Sequence, residues 1–86
     1  MLTTGNQLKA ARALVGMEQA RLAEAAGLNV NTIRNMEASG LAALPGRAVN
    51  VHAVQRALEA AGVEFLNHGR PGVRLRGPAD GTRDEH

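Results

Sequence analysis

The chain has 86 residues, with 10 Lys and Arg against 8 Asp and Glu, one aromatic residue and no cysteine. This length allows one small domain, and the lack of cysteine excludes a disulfide framework and a cysteine-based metal site. The three histidines are scattered and no apolar stretch approaches the ~20 residues of a membrane span, so we expect a soluble cytoplasmic protein without metal or cofactor.

The start of the sequence lacks the basic segment and apolar run of a secretory signal. The charge is unevenly distributed. Residues 1–77 carry nine basic and five acidic side chains, a net charge of +4, whereas residues 78–86 carry one and three, a net charge of −2. A basic body with an acidic tail is compatible with nucleic-acid binding.

Two amphipathic helices are predicted at the start of the chain. The first has Thr4 as its N-cap and runs to about Val15, where Gly16 ends it. The second covers residues 18–26 and ends at Gly27, a residue suited to positive φ. Apolar residues at helical spacing define their inner faces: Leu8, Ala11, Leu14 and Val15 in the first helix, and Leu22, Ala23 and Ala26 in the second.

A third helix is predicted from its Asn29 cap to about Ala38, with Ile33 and Met36 pointing inward beside Leu28. Its outer face offers hydrogen-bond donors and carries no acidic residue. The residues of this face are Val30, Asn31, Arg34 and Asn35. Exposed polar helix faces are common, so a solvated surface is the alternative. Two short helices joined by a Gly-containing turn form a helix-turn-helix arrangement.

The rest of the chain is predicted as a linker, a fourth helix and a hairpin. The linker covers residues 39–48, and the fourth helix runs from an Asn50 cap to about Ala61. Residues 63–66 and 73–76 alternate with the period of strands. The predicted fold is therefore mainly α, a bundle of four helices at 1–62 followed by a β-hairpin at 63–76 and a disordered acidic tail at 77–86.

Residues 19–37 resemble the Cro and phage-repressor type of helix-turn-helix protein, the xenobiotic-response-element (XRE) family of regulators. That family has a Gln, a Leu-Ala pair, a small residue with Gly, a capping residue, Thr-Ile and a closing Glu. The matching residues are Gln19, Leu22, Ala23, Ala26, Gly27, Asn29, Thr32, Ile33 and Glu37. At Glu18 the family prefers Ser or Thr as the cap of the second helix, a role a carboxylate can also fill.

The resemblance implies a lambda-repressor-like fold and a role for each matching position on DNA. Base contacts in the major groove are implied for Val30, Asn31, Arg34 and Asn35. Backbone contacts are implied for Gln19, Thr32 and Arg47. The side-chain chemistry agrees, because Asn pairs with adenine, Arg with guanine, and Val contacts a thymine methyl.

Four basic side chains are candidates for phosphate contacts that carry no sequence information. These are Lys9, Arg12, Arg21 and Arg47. Glu37 is expected to pair with a nearby Arg or to cap backbone rather than to touch DNA.

The hairpin predicts a dimer interface, since an isolated two-stranded hairpin is marginal in water. Its apolar residues, predicted to build a sheet across a two-fold axis, are Phe65, Leu66, Val73 and Leu75. A hairpin folded back on its own helices is the alternative.

The sequence thus predicts a transcriptional regulator that binds a pseudo-palindromic operator on double-stranded DNA as a homodimer. We expect it to act as a repressor. The alternative is the antitoxin of a toxin–antitoxin pair, which would bind a protein partner and repress its own operon. An enzyme is not expected, because the chain shows no nucleophile motif and no phosphate-cradling glycine loop.

Overall fold

A computed structural model gives the structure of the chain and describes residues 1–67 and 69–76. The predicted succession of four helices and an antiparallel hairpin is confirmed. The elements are α1 (Gly5–Val15), α2 (Gln19–Ala26), α3 (Val30–Glu37), α4 (Ala48–Ala60), β1 (Val63–Leu66) and β2 (Gly72–Leu75). The predicted acidic tail and His68 lie outside the described residues.

Side-chain caps fix the starts of α1 and α3, as predicted. The Thr4 hydroxyl accepts a hydrogen bond from the Gln7 N–H at 3.1 Å, and the Asn29 carboxamide oxygen accepts one from the Asn31 N–H at 2.8 Å. Each bond satisfies a helix N–H that has no partner within the helix. At Glu18 no side-chain cap bond forms, so α2 begins without one.

The predicted Asn50 cap of α4 is wrong. The helix begins two residues earlier, at Ala48, and its N-cap is Arg47, which makes no side-chain cap hydrogen bond. The extended backbone of Arg47 directs its carbonyl oxygen at the N–H groups of Asn50 and Val51, at 3.0 and 3.1 Å. Backbone geometry after the Pro45–Gly46 bend therefore starts α4.

The core lies between the four helices and the inner face of the hairpin. Its fully buried apolar residues are Leu2, Leu8, Ala11, Leu22, Ala23, Ile33, Met36, Val54, Leu58 and Val63. Most of these were predicted from periodicity. Leu14 was predicted to face inward and is instead 41% exposed, because no described element covers that side of the last turn of α1. Leu2, which lies before the first helix, was not predicted.

Close backbone approach joins the start of α1 to the end of α3. A Cβ added at Gly5 would lie 2.5 Å from the Met36 carbonyl oxygen, 2.7 Å from that of Glu37 and 2.6 Å from Ser39 Oγ. The next N–H along, that of Asn6, donates to the Gly40 carbonyl oxygen at 2.9 Å. Glycine is required at position 5 because any side chain would push α3 away.

The hairpin packs on its own helices. In β1 and β2, Val63 lies opposite Leu75 and Phe65 opposite Val73, and Phe65 and Val73 are partly buried against the core. The Gln7 side-chain amide donates to the Gly72 carbonyl oxygen at 3.0 Å. These contacts attach the hairpin to α1 and stabilise a two-stranded sheet that would be marginal alone.

Candidate nucleic-acid interface

The pair α2 and α3 forms a rigid unit because its turn is short and hydrogen-bonded. Gly27 adopts a left-handed conformation, with φ of 72°, which glycine tolerates without steric cost. The Leu28 N–H then donates to the Ala23 carbonyl oxygen at 2.9 Å. Behind the turn, Leu22 and Ile33 are fully buried. The inner face of α3 is therefore fixed, and its outer face is held toward solvent.

The structure brings three predicted base-contact residues together on that outer face. Asn31, Arg34 and Asn35 are all exposed, and an Arg34 guanidinium nitrogen donates to Asn31 Oδ1 at 2.9 Å. This bond leaves other N–H groups of Arg34 and the amide group of Asn31 available, because a guanidinium carries five donors. Asn and Arg side chains of this kind pair with base edges through two hydrogen bonds.

Val30 and Thr32 occupy a different position from these three residues. Both are half-buried, and Val30 packs against the core at the start of α3. Only part of the Val30 side chain is therefore open to a partner. Thr32 lies at the margin of the exposed face, where a contact with the sugar-phosphate backbone was predicted.

The single carboxylate of α3 is buried and paired beneath this face. Glu37 is 3% exposed, and both of its oxygens accept hydrogen bonds from the Arg12 guanidinium. Glu37 Oε1 also accepts from the Gln19 side-chain amide at 2.9 Å, and Arg12 itself donates to the Met17 carbonyl oxygen at 2.8 Å. The prediction that Glu37 pairs with an Arg is confirmed.

The charge state of Glu37 follows from these contacts. Burial acts to raise the pKa of the Glu37 carboxyl, but the hydrogen bonds from Arg12 and Gln19, with the positive charges of Arg12 and Lys9, outweigh it and hold that pKa below its usual range. The hydrogen bond to Glu37 correspondingly raises the pKa of Arg12. The pair is therefore ionised at neutral pH, and its opposite charges compensate each other.

This cluster engages two residues that were predicted to contact the DNA backbone. The Arg12 side chain is 21% exposed, and Gln19 is half-buried with its amide turned to Glu37. Both link α1, α2 and α3 at one point. Sequence reasoning missed the bond between Gln19 and Glu37, although both residues were noted as conspicuous motif positions 18 apart.

The other predicted backbone contacts lie on the surface. Arg21 is exposed and pairs with Glu24 one turn along α2, at 3.2 Å, a solvent-screened contact of little energetic weight. Arg47 is exposed at the start of α4, and Lys9 is exposed on α1. The structure places these cations on three different elements rather than in one cluster.

The predicted dimer residues divide between core and surface. Phe65 and Val73 pack against the core, Leu66 is half-buried, and Leu75 is 52% exposed. Of the four, Leu75 presents the largest exposed apolar side chain.

Comparison with known proteins adds no assignment. The chain matches no protein-family model and no curated protein. In the described part of the chain, no helix has the length and apolar character needed to cross a membrane, and residues 1–67 and 69–76 contain no group of three potential metal ligands.

Proposed function

We propose that this chain is a sequence-specific DNA-binding regulator of transcription, a repressor with a lambda-repressor-like helix-turn-helix domain that binds a pseudo-palindromic operator as a homodimer. The observation that carries the proposal is the outer face of α3. This face presents Asn31, Arg34 and Asn35 to solvent. The one carboxylate of the helix, Glu37, is buried and forms an ion pair with Arg12.

In α3, all of which the structure describes, no acidic side chain is exposed. This matters because DNA carries one negative charge per ~1.7 Å of helix axis. An exposed carboxylate on a helix that enters the major groove would be repelled by the phosphates on both sides. Burying Glu37 beneath the face removes that repulsion and uses the same carboxylate to fix the helices that flank α3.

Each residue has a proposed part in recognition. Asn31, Arg34 and Asn35 contact base edges, and the open part of Val30 contacts a thymine methyl. Contacts with phosphate or sugar come from Gln19, Thr32, Arg12, Arg21 and Arg47. Gln19 and Arg12 contribute chiefly by holding the start of α2 in position, because their polar groups are engaged by Glu37.

The test is the fluorescence anisotropy of a labelled duplex from the region upstream of the gene, compared with a scrambled duplex, over a salt series. We expect preferential binding that weakens with salt. Loss of one bidentate base contact removes about 1–3 kcal/mol of discrimination, so Asn31→Ala and Arg34→Ala should each reduce the preference between the duplexes by about fivefold or more. Arg56→Ala, on the exposed side of α4, is the matched control and should preserve the preference.

Binding to neither duplex at low salt would refute DNA binding itself. Equal binding to the two duplexes that Arg34→Ala does not change would refute base recognition by α3. Such binding would be explained by basic side chains that attract phosphate. Circular dichroism of each variant ensures that a loss of binding is not a loss of folding.

A further inference from the structure

Among the described residues, no strand lies beside the edge of β2 that faces away from β1. The Arg76 N–H donates to the Gly62 carbonyl oxygen at 2.7 Å, so Gly62 and Arg76 form a hydrogen-bonded pair of the antiparallel ladder. Such pairs alternate with non-bonded ones, which places Val73 and Leu75 at non-bonded positions. Their backbone N–H and C=O groups therefore point away from β1, and in the described part of the chain no side chain or backbone group bonds to them.

An apolar surface lies beside that edge. A groove of about 230 Å³ is lined by Asn6 and Ala10 of α1, Leu41, and Pro71 and Val73 of the hairpin. Leu41 is 85% exposed. The surface continues along both elements, because Leu14 follows Ala10 by one helical turn and Leu75 shares a face of β2 with Val73.

We infer that this edge and the apolar surface beside it bind a second copy of the chain, with β2 pairing antiparallel to β2 across a two-fold axis. The two hairpins would then form one four-stranded sheet. In each copy, Val73 and Leu75 would cover Ala10 and Leu14 of the other. The inference specifies the interface of the proposed dimer, and it can be tested without DNA.

Three observations favour a strand of the same chain as the occupant. Exposed N–H and C=O groups along an edge are a template for another strand, whereas an apolar ligand or a helix seated there would take them from water and leave them unpaired. The alternation of β2 places Val73 and Leu75 on one face, so an identical strand covers the surface with its own apolar face. A two-fold interface also buries the same exposed residues, Leu14 and Leu75, in both copies at once.

The charges on the far face of β2 permit this pairing. Arg74 donates to Glu64 across the hairpin at 2.5 Å, so each copy brings a compensated pair. The register that sets Val73 opposite Val73 places each Arg74 opposite a glycine, Gly72, and avoids a direct like-charge pair. It places each Leu75 opposite Pro71, whose carbonyl oxygen can accept from the Leu75 N–H but which has no N–H to donate.

The extent of the surface predicts a weak dimer. It spans about two turns of α1 and one four-residue strand, so the interface falls at the small end of the specific range, below about 1,200 Å². We expect a dissociation constant between roughly 1 µM and 1 mM, which two half-sites on one operator would reinforce.

The first experiment is sedimentation equilibrium of the full chain without DNA, at protein concentrations from about 1 µM to about 1 mM. Leu75→Lys and Leu14→Lys each place a charge in the interface of both copies, and each should weaken the dimer at least tenfold. Val49→Lys is the matched control, because Val49 is an apolar residue of α4 that is 65% exposed and lies outside the proposed interface. Circular dichroism checks that all three variants fold.

The second experiment follows the backbone. In a ¹⁵N NMR dilution series, the amides of Val73 and Leu75 should shift and gain protection from exchange as concentration rises, whereas the amide of Arg74, already bonded to β1, should change less. A chain that stays monomeric throughout the range, or a dimer unaffected by Leu75→Lys, would overturn the inference. If the chain binds DNA sequence-specifically as a monomer, the proposed role of α3 in base recognition stands and only the proposed dimer is refuted.

Discussion

The buried pair of Arg12 and Glu37 provides the sharpest stability prediction. Glu37→Gln keeps the shape of the side chain and removes its charge, which leaves the Arg12 guanidinium without its counter-charge among α1, α2 and α3. Breaking a fully buried ion pair costs about 3–5 kcal/mol. The Arg12 side chain is 21% exposed, so solvent screens part of that cost. The glutamine introduced at position 37 can also still accept a hydrogen bond from Arg12.

We therefore expect Glu37→Gln to lower the free energy of unfolding by about 2–3 kcal/mol, below the cost of a fully buried pair. For a domain of this size, Tm should fall by roughly 10–20 °C. The assay is urea and thermal denaturation followed by circular dichroism. Glu24→Gln, which breaks the exposed pair with Arg21, is the control and should cost under about 1 kcal/mol.

A double-mutant cycle isolates the interaction. Arg12→Met combined with Glu37→Gln should be more stable than the sum of the single losses predicts, by at least about 1 kcal/mol of coupling. Additive losses, or a Glu37→Gln variant as stable as the Glu24→Gln control, would refute the view that this pair fixes the three helices.

The pH dependence of stability has a definite sign. The pKa of Glu37 is lowered in the folded chain, so this carboxylate contributes stability that is fully present above the unfolded pKa of about 4.3. That stability is lost as the pH falls through the folded pKa. Stability should thus fall below about pH 5, and the Glu37→Gln variant should lack this part of the acid dependence.

Three further predictions rest on thermal and urea melts. Gly5→Ala brings a methyl group within 2.5–2.7 Å of oxygens at the end of α3, so it should destabilise the fold by about 1–3 kcal/mol; an unchanged Tm would contradict the close approach. Asn29→Ala removes a cap bond and should cost about 1 kcal/mol, whereas Glu18→Ala, where no such bond forms, should cost less. Leu58→Ala opens a cavity and should cost about 2–5 kcal/mol, while Val49→Ala, on the exposed side of the same helix, should stay within about 0.5 kcal/mol.

Local chemistry explains why most elements were predictable. The caps at Thr4 and Asn29 are side-chain bonds to N–H groups two or three residues away, so the sequence specifies them without reference to the rest of the fold. The positive φ at Gly27 and the alternation of the strands are local in the same sense. The exposed trio of α3 was predictable because helical periodicity assigns each residue to a face.

Non-local contacts decided what the sequence did not predict. The start of α4 depends on the path of the chain after Pro45. Leu2 is buried because its side chain packs in the core, and its N–H is held there by the Gln55 side chain, 53 residues away. The exposure of Leu14 depends on which elements cover α1.

The sequence by itself determined four helices, the side-chain caps of α1 and α3, a hairpin and an acid-free polar face on α3, because each depends on residues within a few positions of one another. Only the tertiary structure decided that Arg12 and Gln19 converge on Glu37, and that the hairpin lies on α1 with no other described strand beside β2 than β1. Those arrangements depend on packing between segments distant in sequence, where burial and the pairing of buried polar groups override local pattern.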